Sequence, residues 1–483
     1  MSHSEIVTSN SFVPPHKRDR PLIVTPHMFQ DSFSALPGRL NGVGGSATVH
    51  AMQALELGKR AVMVAPSDLD RHDIARLKVP AVAYRFVGNS AHDHDEWYEE
   101  KNLRFLTEKV LGGHTGPNDV VYAHMPISGQ AGMDLCRSNG NPLVYFGHAW
   151  EIFSATYFPD REIKAPRLAT EFAIIHYLAS QPGRGFIITN SHWEAQAIAD
   201  AYSKEPTVAN IKAFMRDNGV SKVLSSKTDG LVQKALREIL RGDTKLYTRE
   251  QILSMCVPNP IGVDGAYYSQ SYRAQNRDAL RAEFFKQHNM PQDSVLIGGV
   301  GRISAQKDPF ASVEVFHKAW DLLGRPENVF LYLAGPGRNS VGEPSEYFKK
   351  LVEFIHTQHS EVAPFIHVPG TAADARDTNA MLDVRLCTAT IETWGLSFQE
   401  SLCMGVPSVA LSNPVYSELY GATEVIMEQD HDKLAEAIAD LARSPSKRNE
   451  YGEACRVVGN RFNWTNSVDQ LRAKLKDRLS FTV

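Results

Sequence analysis

Cysteine is scarce in the 483-residue chain and shows no pattern. Cys136, Cys256, Cys387, Cys403 and Cys455 are scattered, odd in number, and form no Cys-x-x-Cys pair. Structural zinc sites and disulfide frameworks need recurrent spacings, so neither is expected, and a reducing cytoplasmic compartment is. No apolar stretch approaches the roughly 18 residues of a membrane span, so no integral membrane association is expected. Residues 1–20 lack the apolar core of a signal peptide and end in Pro14-Pro15-His16-Lys17-Arg18-Asp19-Arg20, which reads as a flexible leader. An excess of positive charge is also missing. Lys and Arg number 51 against 55 Asp and Glu, a formal charge of −4, which argues against a nucleic-acid partner.

What is present is an ordinary globular composition, 43% hydrophobic and 22% charged, in a chain long enough for two or three domains. Pro21-Leu22-Ile23-Val24-Thr25-Pro26 is a short apolar run closed by proline and reads as a buried strand. The glycine-rich turn Gly42-Val43-Gly44-Gly45-Ser46 follows. Val49, Met52 and Leu55 then recur at helical spacing, with Gly58 as a stop and a strand from Arg60 to Ala65. This strand–helix–strand alternation, which builds parallel sheets, continues through strands at Asp119–Ala123, Leu143–Phe146 and Gly185–Asn190. A second series begins at Ser294–Val300 and runs through Val329–Leu333, Phe365–Val368, Asp383–Cys387 and Val406–Leu411.

The predicted fold class is therefore α/β, with two doubly wound, Rossmann-like domains. The first spans residues 21–265 and the second residues 290–465, with a polar connection over about 264–290. A final helix, residues 466–483, is expected to return to the first domain. Ligands of such sheets bind at the carboxyl ends of the strands, so the default active site lies between the two domains. A helical insertion at about 203–255 interrupts the first domain. From Asn210 to Glu250 it carries nine Lys or Arg against five Asp or Glu. Two readings stay open for it: a solvated helical lobe, or a lobe that recognises an anionic acceptor.

Two stretches carry chemistry. The first, Gly298-Gly299-Val300-Gly301-Arg302-Ile303-Ser304-Ala305-Gln306-Lys307-Asp308, directly follows a strand. Its glycines let backbone approach a ligand, and Arg302 and Lys307 place two cations where a departing diphosphate needs them. Its spacing is not a Gly-x-Gly-x-x-Gly fingerprint, so an ordinary βα loop remains the alternative. The second runs from Ile391 to Val409, with Glu392 and Glu400 separated by seven residues and Thr393-Trp394-Gly395-Leu396 between them. A helix starting there offers N–H groups to an anion. Carboxylates suit sugar and ribose hydroxyls because they accept two hydrogen bonds at once.

These stretches resemble glycosyltransferase family 4, the retaining GT-B enzymes that include sucrose-phosphate synthases. Glu392-x7-Glu400 with Met404-Gly405-Val406-Pro407 is the most specific mark, and Gly301 to Lys307 the second. Gly44-Gly45, Asp119 to His124, Pro142 to His148, Ile188-Thr189-Asn190-Ser191 with Glu194, and Val257-Pro258-Asn259 with Gly262-Val263-Asp264 recur in family order. The resemblance covers roughly Pro21 to Trp464. It implies that Arg302 and Lys307 hold the donor's diphosphate, Glu392 the donor sugar and Glu400 the ribose. Backbone N–H groups of Trp394, Gly395 and Leu396 would meet sugar and phosphate, and the Val368-Pro369-Gly370 loop would face the base. His148 would lie beside the reacting carbon, and Gly44 and Gly45 would let the first loop approach. A lone histidine after a strand, as His148 is, is more often structural than catalytic; the resemblance reverses that for His148, and His124 is balanced between the two roles.

The implied activity is hexosyl transfer with retention, from a UDP-sugar first and a GDP-sugar second, to a small soluble acceptor. No cofactor and no metal are expected, because the two cations take the metal's place. An epimerase or phosphorylase on the same fold, or a non-catalytic sugar-nucleotide-binding module, are the alternatives. Two departures stand out. Asn259-Pro260-Ile261-Gly262-Val263-Asp264 is two residues longer than the family's Asn-Gly-Val-Asp. Thr393-Trp394-Gly395 replaces Gly-Phe-Gly, so the larger ring is expected to reshape the sugar pocket.

Overall fold

The computed structural model describes residues 103–117, 119–147, 150, 165–203, 247–337, 343–370, 374–421 and 425–478, with backbone strands at 5–8, 22–24, 62–66 and 81–85. The chain divides into two compact units, Met1–Pro260 with Ser467–Val483, and Ile261–Asn466.

Among the described residues, the first unit holds an eight-stranded sheet. Its strands are β1 (Glu5–Thr8), β2 (Leu22–Val24), β3 (Val62–Pro66), β4 (Ala81–Arg85), β5 (Val121–His124), β6 (Leu143–Phe146), β7 (Gly185–Thr189) and β8 (Cys256–Pro258), in the order β1-β4-β3-β2-β5-β6-β7-β8. All neighbours pair in parallel except β1, which runs antiparallel to β4. The leader expected over residues 1–20 therefore needs correction, since Glu5 pairs with Arg85 and Thr8 with Val82 as an edge strand. Ile6, Val7 and Thr8 are β-branched, and such side chains favour pleated backbone.

The helical insertion expected over about 203–255 falls largely on residues that are not described. Residues 204–246 lie outside the described residues, but the helix Arg249–Met255, opened by a Thr248–Gln251 capping box, leads straight into β8 of the sheet. The last helix, Trp464–Arg478, is anchored to the first unit from Ser467 onward. Asn259 Nδ2 donates to Ser467 O at 3.1 Å, Ser467 Oγ to Pro260 O at 2.5 Å, and Lys474 Nζ to Pro258 O at 2.5 Å.

The second unit contains β9 (Val295–Val300), β10 (Val329–Ala334), β11 (Ile366–His367), β12 (Val384–Cys387), β13 (Ser408–Leu411) and β14 (Ile426–Glu428). They form an all-parallel sheet in the order β11-β10-β9-β12-β13-β14. The chain winds outward from β9 to β11, then crosses back to β12 on the other side of β9. That reversal opens a crevice above the ends of β9 and β12. Both faces of the sheet are covered. Val313, Phe316, Leu351, Leu434 and Ile438 from three helices pack one face, and Phe284, Phe285, Met381 and Cys403 the other. Hence β10 is apolar and buried throughout rather than alternating.

The polar connection expected over 264–290 is instead an integral helix, Gln270–Gln287, capped by Ser269. Its polarity has a structural reason. Arg277 and Arg281, one helical turn apart, bind the buried Asp383 at 2.5 and 2.7 Å, while Asp383 also accepts from Leu296 N at 2.8 Å. The boundary between the units accordingly falls at Pro260–Ile261.

Candidate active site

The chemistry-bearing residues of the second unit gather at the crevice. β9 ends at Val300, and Gly301, at φ +157°, turns the chain away. The Gly301 N–H donates to Ala334 O at 2.9 Å, tying this loop to the end of β10. Gly335 makes that contact possible, because a Cβ there would fall 1.7 Å from Gly301 O. Farther along, Gly337 N donates to Gly370 O at 2.9 Å, so the loops after β9, β10 and β11 are knitted together.

Lys307 closes a short 3-10 turn, Ala305–Lys307, and its ammonium donates to Glu392 Oε1. Glu392 is only 5% exposed, and Gln306 Nε2 approaches it and the Ile391 carbonyl at 3.5 and 3.3 Å. Thr388, just beyond β12, pins the other side of the turn. Its hydroxyl lies 2.7 Å from Asp308 O and 3.1 Å from Lys307 O, with Ser312 Oγ 2.6 Å away. Arg302 stands exposed on the same loop. A solvent-open pocket lies here, lined by Gly299, Gly301, Arg302, Lys307, Arg385 and Thr388 among others.

The opposite wall is the helix Leu396–Cys403. Gly395 caps it at φ +83°, a left-handed conformation that favours glycine, and a Cβ there would sit 2.5 Å from Tyr416 Oη. The first N–H groups of a helix lack intrahelical acceptors and point toward whatever lies ahead of it. Glu400, one turn inside the helix, is partly buried, with Tyr268 within its electrostatic reach. Burial pushes its carboxyl up to about 7, against the opposing influence of Tyr268 and the positive charges of Arg385 and Lys307.

Lys307 and Glu392 are thus in contact, Glu400 lies within the electrostatic reach of Lys307, and Arg302 shares the Lys307 loop. Trp394 buries its indole against Phe462, with ring centroids 5.3 Å apart, rather than lining the pocket. Val368 packs against the sheet core, and the Gly370 carbonyl is taken by Gly337. Leu396 packs beside the cluster of Phe284, Phe285 and Met404. Gly44, Gly45 and His148 lie outside the described residues. Within the first unit, Trp150 Nε1 donates to the buried Glu194 at 2.9 Å, and Asn190 N donates to the same carboxylate at 2.6 Å. His124 is buried and stacked on Phe146 at 4.4 Å.

Sequence reasoning passed over Arg385, Thr388 and Tyr268. A charged residue within an otherwise apolar strand, Val384-Arg385-Leu386-Cys387, was the available signal for the first. It also credited Gly298 and Gly299 to ligand approach. A Cβ on Gly298 would meet Tyr332 O at 2.5 Å, and one on Gly299 would meet Arg385 Nη1 at 2.9 Å, so packing within the sheet requires both.

Residues 281–458 match the family model described as Glycosyl transferases group 1. The second unit carries a glycosyl transferases group 1 domain. The chain is also 22% identical, over 381 residues, to D-inositol 3-phosphate glycosyltransferase 1 of Catenulispora acidiphila, covering 76% of this chain and 75% of that protein. Among solved structures it resembles sucrose-phosphate synthase from Thermosynechococcus elongatus, with a TM-score of 0.61 at 15% identity, covering 95% of this chain and 98% of that one. It also resembles Anabaena HepE in complex with UDP and glucose, with a TM-score of 0.56 at 13% identity, covering 95% and 99%. The fold is GT-B, and the group 1 domain contains the loop from Gly298, the Lys307–Glu392 contact and the helix bearing Glu400.

Proposed function

We propose that the chain is a retaining, metal-independent glycosyltransferase that moves a hexosyl group from a nucleotide sugar to a small soluble acceptor in the cytoplasm. The observation that carries this reading is the contact of Lys307 with Glu392 beside the glycine-rich loop, within a group 1 domain. The cation suits the diphosphate and the carboxylate suits the sugar hydroxyls. UDP is the preferred nucleotide, in keeping with the UDP bound by HepE, and GDP the second choice.

In this mechanism Arg302 and Lys307 stabilise the charge that grows on the leaving diphosphate as the sugar–phosphate bond breaks. Glu392 holds the sugar hydroxyls, and Glu400 the ribose. The N–H groups after Gly395 meet the phosphate, and the Val368–Gly370 loop borders the base. His148 and the Gly44-Gly45 loop serve the reacting sugar. The acceptor attacks the anomeric carbon from the face the diphosphate leaves, and its proton passes to a phosphate oxygen.

Thermal unfolding with UDP, GDP and ADP in turn, with and without magnesium, tests the reading. A ligand of the native state at a hundredfold excess over its Kd adds about 2.7 kcal/mol of stability. A shift with one nucleotide that magnesium leaves unchanged is the expected result. A folded protein whose midpoint none of the three moves overturns it.

A further inference from the structure

Arg385 is the one arginine within the described strands of the second sheet, and it is 3% exposed. Among the described residues, no carboxylate stands within ion-pairing distance of it. Its fork instead reaches backbone. Nη1 donates to Gly298 O at 3.3 Å and Nη2 to Val300 O at 2.9 Å, with Ser397 Oγ 3.5 Å from Nη2. Nε is buried without a hydrogen-bond partner. The side chain occupies the space that Gly299 leaves empty and lines the pocket beside Arg302 and Lys307.

A buried cation without an ion pair carries a steep desolvation cost. Its position shows what offsets that cost. Arg385 bridges the carbonyl where β9 ends and the hydroxyl in the first turn of the Leu396–Cys403 helix, the two walls of the crevice. The charge of a buried side chain is screened less than one in solvent, and a strand residue cannot swing away as a loop lysine can.

We propose that Arg385 is a positioning residue of the donor site, bracing both walls around a nucleoside diphosphate and supplying a third, fixed cation beneath it. The inference rests on the donor reading above. It also gives Arg385 a task toward Glu400, whose carboxyl is raised by burial and by the charge of Asp374 and held back by Tyr268, Arg385 and Lys307. Ionised Glu400 accepts hydrogen bonds from ribose at both oxygens and more strongly than the neutral acid does, so affinity for the nucleotide rises with pH through the titration of Glu400. Removing the Arg385 charge moves that rise to higher pH.

The test is calorimetric titration with UDP, or with GDP or ADP if the wild-type protein prefers one of them, between pH 5.5 and 8.5. Wild type, Arg385→Met, Arg385→Lys and Lys307→Ala are compared, with circular dichroism to establish folding. Arg385→Met is expected to weaken binding roughly tenfold, the scale of one hydrogen bond to a charged group, and to move the acid limb upward. Arg385→Lys is expected to keep the wild-type limb and recover part of the affinity. Wild-type affinity in Arg385→Met, or weakened affinity with an unmoved limb, overturns the proposal; the second result would reduce Arg385 to packing. If the methionine variant does not fold, wild-type affinity in Arg385→Lys overturns it. Binding lost in Lys307→Ala but untouched in Arg385→Met sinks this inference alone. Wild-type affinity in Lys307→Ala removes the donor reading and this inference with it.

Discussion

Lys307 Nζ and Glu392 Oε1 form an ion pair between residues 85 positions apart in the chain, joining the loop after β9 to the loop after β12. The carboxylate is nearly enclosed and the ammonium is 23% exposed, so the pair is held in place and still open on one side. Residues in direct contact couple by about 0.5–3 kcal/mol. In a double-mutant cycle of Lys307→Met and Glu392→Gln, the losses in donor kcat/KM are expected to be non-additive by that amount. Strictly additive losses would show that the two side chains act independently.

Arg302→Ala is expected to lower kcat by about 10²–10³, the scale for one preorganised charge-stabilising donor. The donor KM should change far less, since the charge it meets develops as the bond breaks. A folded variant with wild-type turnover takes Arg302 out of the site.

Glu400 gives the fold a pH dependence of defined sign. Burial raises its carboxyl to about 7, above the unfolded carboxylate range. The native state therefore binds a proton that the unfolded chain has released. That stabilisation is complete below the unfolded value near 4.5 and fades as pH rises through about 7. Glu400→Gln is expected to remove this slope and to stabilise the ligand-free protein above pH 7 by up to about 3 kcal/mol relative to wild type. Urea unfolding at pH 5 and pH 8 measures it, and equal pH slopes in the two proteins would refute the assignment.

Gly395→Ala combines two costs. A left-handed conformation costs an L-residue about 1–2 kcal/mol, and the new methyl presses on Tyr416 Oη, adding about 1–3 kcal/mol of overpacking. A drop of about 2–5 kcal/mol in unfolding free energy is expected. A loss below 1 kcal/mol would mean that the helix start can readjust.

Asp383→Ala should be among the most damaging changes in the second unit. It takes the shared carboxylate from Arg281, leaves Arg277 with only the exposed Asp278, and leaves the Leu296 N–H without its side-chain acceptor. Removing one member of a buried ion pair costs about 3–5 kcal/mol. Denaturant unfolding checks the value. A nearly neutral result would mean that solvent reaches the arginines and takes over from the carboxylate.

Much of the fold was legible locally. The apolar runs Val295–Val300, Val329–Ala334 and Leu143–Phe146, separated by helical periodicity, define buried parallel strands without any partner being named. The motif spacings likewise placed Lys307, Glu392 and Glu400 on turns and a helix start next to strands. Polar segments read less well. The helix Gln270–Gln287 resembles a linker in composition because the groups that neutralise its arginines lie about a hundred residues onward, at Asp383 and in the carbonyls of Met381 and Leu382.

What sequence alone determined is which segments are strands, which loops are glycine-rich and which charges lie near a strand end. Tertiary structure decided who meets whom. β12 lies beside β9 although two strands intervene in the chain, and that crossover alone brings Glu392 to Lys307 and Arg385 to Val300. Gly298 and Gly299 take their meaning from it too, as room for Tyr332 and Arg385. Periodicity is set by each residue's near neighbours in sequence. The pairing of buried charges is set by sheet order, which depends on the burial of the whole chain.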